Sequence, residues 1–234
     1  MIKNIFLDLD GTLLPVNEDE FTKLYFGLLY KRVSHRGYEK DAFVKAIWTG
    51  VKAIVKNDGS KTNEQVFWDC FKTIYGEKGV EDKAFIDELY TNEFAMTKQV
   101  CQDNIYTREI IKTIKDFNLK VALTTQPVFP LNGVITRMGF VGLKPEDFDL
   151  ITSYENSYFA KPNPKYYQEV LDRLNLKSNE VIMFGNDKNE DCESASSLGI
   201  KCYLVGDYIK GESETNFEHI SISQIADKIR ENIR

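Results

Sequence analysis

The chain has 234 residues, 42% of them hydrophobic and 28% charged, and a net charge of -6 from 30 Lys and Arg against 36 Asp and Glu. That length is ample for a buried core in one or two domains. The basic residues are scattered, which excludes nucleic acid as a main partner, because phosphate backbones are bound by clustered Lys and Arg. No apolar stretch approaches the roughly 20 residues of a membrane span, so no membrane partner is expected. Met1-Ile2-Lys3-Asn4 leads into an apolar run too short for a signal peptide, and a cytoplasmic location follows as an expectation. The four cysteines, Cys70, Cys101, Cys192 and Cys202, show no C-x-x-C spacing. Reduced thiols and no zinc site are therefore expected.

The first element is the apolar run Ile5-Phe6-Leu7, which reads as a buried strand. It runs into Asp8-Leu9-Asp10-Gly11-Thr12-Leu13. Two acids two positions apart would share a face of a continuing strand, but Gly11 signals a turn. Both carboxylates are then placed at the carboxyl end of the strand, the edge where open parallel sheets bind ligands. So close a pair repels itself unless a cation or a shared proton intervenes. The bland alternative is an acidic corner with Asp10 capping a turn.

After Leu14-Pro15 the pattern turns helical until about Cys101. Phe21, Leu24, Tyr25, Leu28 and Leu29 form one stripe, and Phe43, Ile47, Val51, Ile54 and Val55 a second. Val66, Phe67, Cys70, Phe71 and Ile74 form a third, and Phe85, Ile86, Leu89 and Tyr90 a fourth. Four consecutive helices read as a small all-α bundle, residues 16–101, inserted after the first strand. Its many aromatics, among them Tyr25, Phe26, Tyr30, Trp48, Phe67 and Trp68, sit mostly at helical spacing and are expected to pack that bundle.

From Tyr106 helices and strands alternate. Ile110, Ile111, Ile114 and Phe117 fit a helix, and Val121-Ala122-Leu123 a strand ending at Thr124-Thr125-Gln126-Pro127. Val134, Ile135 and Met138 suggest a helix ending near Gly139, and Asp149-Leu150-Ile151-Thr152 a short strand. Asn163 suits the N-cap, and Pro164 the first turn, of the next helix. Val181-Ile182-Met183-Phe184 is the most apolar strand, followed by Gly185-Asn186-Asp187 and a helix to Leu198. Lys201–Val205 is another strand, and Ile225, Ala226, Ile229 and Ile233 mark a terminal helix. The fold class is α/β: a doubly wound parallel sheet, residues 1–15 and 102–234, interrupted once by the helical insert.

Several strands end at a polar residue suited to a phosphate or a metal: Asp8 and Asp10, Thr125, and Asp187 with Asp191. Lys161 stands at a helix entrance after another strand. In a parallel sheet these ends converge on one edge. Singly, each has an ordinary reading: a turn hydroxyl, a solvated lysine, an N-cap, a first-turn acid. Their joint occurrence in order argues against that set.

Asp-x-Asp-Gly-Thr-Leu resembles the first motif of the haloacid dehalogenase superfamily, most of whose members are phosphatases. Thr125, Lys161, and Asp187 with Asp191 resemble its second, third and fourth motifs, over residues 3–15 and about 105–205. The bundle resembles the helical cap that many members carry. Gln126 stands where Asn is common, and Asn186 separates Gly185 from Asp187 where Gly-Asp is usual. The resemblance implies a Rossmann-like core and a Mg2+-dependent phosphatase acting on a small phosphorylated metabolite. Asp8 would be the nucleophile forming an aspartyl-phosphate and Asp10 the acid and base. Asp8, Asp10, Asp187 and Asp191 would surround Mg2+, whose preference is for such hard oxygens. Thr125, Gln126 and Lys161 would hold the phosphoryl group. A site lysine of this kind is expected to be dispensable for folding. Alternatives are a phosphomutase, a metal-independent dehalogenase on the same fold, and a non-catalytic binding protein. The last is expected to have lost one of Asp8, Asp10, Lys161 or Asp187.

Overall fold

The computed structural model describes residues 1–233. Strands β1 (Asn4–Leu7), β2 (Lys120–Leu123), β3 (Leu150–Ile151), β4 (Val181–Gly185), β5 (Lys201–Val205) and β6 (His219–Ile220) form one sheet. Every pairing is parallel, in the order β3-β2-β1-β4-β5-β6. The order reverses direction between β1 and β4, and that switch point is where a doubly wound sheet opens a crevice.

Both faces of the sheet are covered, which explains why its strands are unbroken apolar runs. The insert leaves after β1 with helices α1 (Glu18–Val33), α2 (Lys40–Val55), α3 (Asn63–Tyr75), α4 (Glu77–Glu81) and α5 (Lys83–Asp87). The core resumes with α6 (Thr107–Asp116), α7 (Leu131–Phe140) and α8 (Pro164–Leu174). A π-helical turn (Lys188–Glu193) then runs into α9 (Ser194–Ser196), and α10 (Ile225–Ile233) closes the described chain. Ile5, Leu7, Val121, Leu123, Ile182 and Phe184 pack against α6, α7 and α10 on one face. Phe6, Ala122, Met183, Cys202 and Leu204 pack against α8 and α9 on the other. The alternation follows the period of two along each strand.

In the insert, Asn17 caps α1 by accepting from the Glu20 amide at 3.1 Å. Thr62 and Gln65 close a capping box on α3. Phe21, Leu29, Phe43, Ile54, Phe71, Leu89 and Phe94 fill a separate apolar cluster. The fourth helix expected over Phe85–Tyr90 is not continuous. After α5 come two 3-10 segments, Glu88–Thr91 and Glu93–Val100, parted by Asn92 at φ -114° and ψ -84°, far from helical values. The two crossings between insert and core run side by side. Val16 bridges Cys101 in antiparallel fashion, and the Gln102 amide donates to the Pro15 carbonyl at 2.8 Å.

One cysteine expectation fails. Cys192 and Cys202 form a disulfide with Cα atoms 5.3 Å apart, while Cys70 and Cys101 are free thiols. The bond joins the π-helical turn to β5, a proximity that only the fold creates. Among the described residues no helix is long and apolar enough to cross a membrane.

Candidate active site

β1 delivers Asp8 and Asp10 to the carboxyl edge at the switch point. The Asp8 amide still donates to the Phe184 carbonyl of β4 at 3.0 Å, which fixes where the strand ends. The chain then turns back: the Leu14 amide donates to Leu9 O and the Gly11 amide to Leu14 O, both at 2.8 Å. Gly11 is required twice over. Its φ of +82° lies in the left-handed region, and a Cβ there would stand 2.3 Å from Asn186 Nδ2.

The two acids part company. Asp8 Oδ1 accepts from Lys161 Nζ at 2.9 Å and Oδ2 from the Thr12 hydroxyl at 2.9 Å. Asp10 instead pairs with Arg137 of α7. Arg137 is 1% exposed and lies with its guanidinium carbon 4.3 Å from the Phe129 ring centre. Asp10 Oδ1 and Arg137 Nη2 are buried without a partner. Burial pushes the Asp10 carboxyl up, Arg137 works against that, and the Asp8 charge adds to it.

Lys161 is 1% exposed, far from the solvated lysine of the ordinary reading. Its ammonium sits between Asp8 and Asp191, 2.6 Å from Asp191 Oδ1. Burial alone would lower its pKa, but the two carboxylates outweigh burial and hold it well above normal. Asp191 also accepts from the Tyr167 hydroxyl at 3.2 Å and from the Asp187 amide at 3.0 Å. Burial pushes its carboxyl up against the pull of Lys161. Gly185 makes room for it, since a Cβ there would lie 2.3 Å from Asp191 Oδ2.

Asp187 caps the π-helical turn. Its Oδ1 accepts from the Asn189 and Glu190 amides, each at 2.8 Å. Gln126 clamps the lysine backbone: Oε1 accepts from Lys161 N and Nε2 donates to Lys161 O, both at 3.0 Å. Thr125 is 1% exposed, with its carbonyl accepting from the Tyr166 hydroxyl at 2.9 Å. Asp8, Asp10, Thr125, Gln126, Lys161, Asp187 and Asp191 all border one cavity of about 700 Å³ between sheet edge and insert.

Asp8, Lys161 and Asp191 are thus in direct contact, while Asp10 and Asp187 face the same space through other partners. Among the described residues no three His, Cys, Asp or Glu side chains converge as a metal cluster. The donor set nonetheless suits a hard cation: the carboxylate oxygens of Asp8, Asp187 and Asp191 border one cavity, with Asp10 beside them.

The sequence did not single out Arg137, Thr12, Tyr167 or Glu190. A lone Arg at helical spacing carries no signal of its own. Thr12 lies inside the first motif and could have been read from it. Glu190 accepts from Gln126 Nε2 at 3.1 Å, and burial pushes its carboxyl up to about 7. Of the aromatics assigned to bundle packing, Phe71, Tyr25 and Phe67 lie in the insert's apolar cluster and Phe26 and Trp68 pack against it. Tyr25, Phe26, Phe67 and Trp68 also border the cavity, as does the 43% exposed Trp48.

Polar groups at the ends of β1, β2 and β4, under a helical insert placed after β1, define a capped α/β hydrolase. A family model of haloacid dehalogenase-like hydrolases matches residues 5–205, and the chain belongs to that family. It is 25% identical over 180 residues to haloacid dehalogenase-like hydrolase domain-containing protein 3 of Danio rerio, covering 73% of this chain and 72% of that one. It is 26% identical over 200 residues to the glyceraldehyde 3-phosphate phosphatase of Methanocaldococcus jannaschii, covering 86% and 83%. A 2-haloacid dehalogenase from Pseudomonas syringae pv. Tomato superposes with a TM-score of 0.68 at 16% identity, covering 99% of both chains. That likeness establishes the shared fold.

Proposed function

We propose that the protein is a Mg2+-dependent phosphatase acting on a small phosphorylated metabolite through an aspartyl-phosphate on Asp8. The carrying observation is Asp8 itself, held at the sheet edge between the Lys161 ammonium and the Thr12 hydroxyl and open to the cavity. Phosphatase-named relatives such as that of M. jannaschii support the reaction class.

Lys161 offsets the charge of both Asp8 and the incoming phosphoryl oxygens, which otherwise repel each other. Thr12 fixes the carboxylate so that one oxygen is aimed for attack, an ordering that removes entropy from the step. Thr125 offers its hydroxyl to the phosphoryl group, and Gln126 keeps Lys161 in place. Asp10, raised by burial and oriented by Arg137, gives a proton to the leaving oxygen and later takes one from the attacking water. Mg2+ held by Asp8, Asp187 and Asp191, with Asp10 beside them, would supply further positive charge against the phosphoryl oxygens.

The test is a panel of phosphorylated metabolites assayed with and without Mg2+, using the wild type and Asp8→Asn. Phosphate release that needs both Mg2+ and Asp8 is expected. Equal release by the Asp8→Asn protein would overturn the assignment.

A further inference from the structure

The cavity has two unlike ends. Its floor is the charged set around Asp8. Its roof is the insert, where α2 presents Ile47, Trp48, Val51 and Val55 along one stripe, with Phe26 and Trp68 beside it. Trp48 is 43% and Val55 38% exposed, so this part of the stripe is free to contact a ligand in the cavity.

Several polar groups near the roof are already partnered, while the Trp48 indole N–H and the Thr22 hydroxyl make no bond among the described residues. The Tyr25 and Tyr90 hydroxyls bond each other at 2.8 Å, and Trp68 Nε1 donates to the Tyr154 hydroxyl at 3.4 Å. Asp87 is paired with Lys83. Beyond the two groups left free, a polyhydroxylated leaving group would have to break these bonds or leave its own hydroxyls unsatisfied. The charges that the insert contributes to the wall, Glu18, Asp19 and Asp87, are acidic. Of the cations that border the cavity, Lys161 is taken by Asp8 and Asp191, Arg137 by Asp10 and Lys210 by Glu18, so a second phosphate or carboxylate on the substrate would have to compete for a charge already paired.

We infer that the preferred substrate is a phosphate monoester of an apolar alcohol, aromatic or branched aliphatic, with no second charge. Its phosphate meets Asp8 and Lys161 while its hydrocarbon body covers Trp48, Val51 and Val55. The inference rests on the phosphatase assignment and names the substrate class of that same site. A volume of about 700 Å³ falls in the range of ligand pockets and exceeds what a three-carbon body fills.

The test uses esters of primary alcohols, so that leaving-group chemistry stays constant. Ethyl, butyl, hexyl and 2-phenylethyl phosphates are compared with glucose 6-phosphate, with Mg2+ present. Burial of each added methylene should raise kcat/KM about fourfold until the cavity is filled. In parallel, methyl- and hexylphosphonate are titrated by tryptophan fluorescence. The chain has 2 Trp, and both border the cavity, so the signal reports its occupancy. Hexylphosphonate should bind at least ~30-fold more tightly than methylphosphonate, and Trp48→Ala should narrow that ratio. Graded binding without turnover would uphold the apolar site and overturn the phosphatase assignment. Turnover without a gradient, or a preference for glucose 6-phosphate, would overturn the apolar site and leave the phosphatase assignment standing. A gradient unchanged in Trp48→Ala would also overturn it, and absence of both turnover and graded binding overturns both.

Discussion

Asp8 and Asp10 stand two positions apart and answer to different cations, Lys161 and Arg137. That separation gives the pair distinct predicted defects. Asp8→Asn should abolish turnover and any covalent adduct together. Asp10→Asn should leave Asp8 able to attack an activated aryl phosphate, whose leaving group needs no proton, while the second step stalls for want of a base. Rapid-quench mass spectrometry should then find added phosphate on the Asp8 peptide. Full steady-state activity with no adduct would reduce Asp10 to a turn residue. Lys161→Ala should lower kcat/KM by at least ~100-fold, the scale of losing one charge-stabilising donor. It should also lower stability, contrary to what a lysine at a helix entrance suggests from sequence. Two carboxylates would lose their shared partner in the interior, a loss of about 3–5 kcal/mol and on the order of 10 °C in Tm. Differential scanning calorimetry separates that loss from the kinetic one. Sequence order marked Asp8, Thr125, Lys161 and Asp191 because each follows a strand. It was silent on Arg137, whose role depends on which way α7 faces.

Among the elements, five of the six strands were legible, four as apolar runs because a doubly covered parallel strand has no polar face and β3 as a short one. β6 was not legible, since its two residues are recruited by the edge of β5 rather than by any pattern of their own. The stretch after Asp187 reads as an ordinary helix, yet begins as a π-helical turn that brings Asp191 back under Gly185. The first turn after β1 is equally exacting. Gly11→Ala should cost about 1–3 kcal/mol through its left-handed backbone alone, and should displace Asn186 as well. Urea titration measures the first effect, and loss of activity beyond the fraction unfolded reveals the second. Farther from the site, Asp147 is buried and ties both the first and the last turn of α6 to the loop before β3. It accepts from Arg108 Nη1 at 2.6 Å, the Lys144 amide at 3.0 Å and Lys115 Nζ at 3.2 Å. Burial alone would raise its carboxyl, but these partners hold it below its usual value. Its contribution is therefore complete above the unfolded pKa near ~4 and disappears as pH falls through the lower folded value. Asp147→Asn should destabilise the protein by about 1–2 kcal/mol at pH 7, and by progressively less below pH ~4. An unaltered difference across that range in chemical denaturation would show that the charge is not what matters.

Across the whole molecule, the place of the insert in the chain was readable, because four amphipathic stripes without a strand cannot belong to a parallel sheet. The lining of the cavity was not, since residues such as Trp48 and Phe71 share helical spacing and only packing tells them apart. The two crossings between insert and core lie side by side, tied by the Val16–Cys101 bridge and by the bond from Gln102 to Pro15. Topologically the insert is the enlarged tip of a hairpin. The sheet already holds the ends of that loop together, so its length carries little entropic penalty, growing only logarithmically with residue number. A consequence is that the insert is exchangeable. Cutting out residues 17–100 and closing the stem with a short Asn-Gly turn should leave a core that still unfolds cooperatively by circular dichroism. Such a core should still load phosphate onto Asp8 from an activated ester, while losing every distinction between short and long alcohols. One chemical engine would then accept a different clientele with each graft, inherited through a stem only two residues wide.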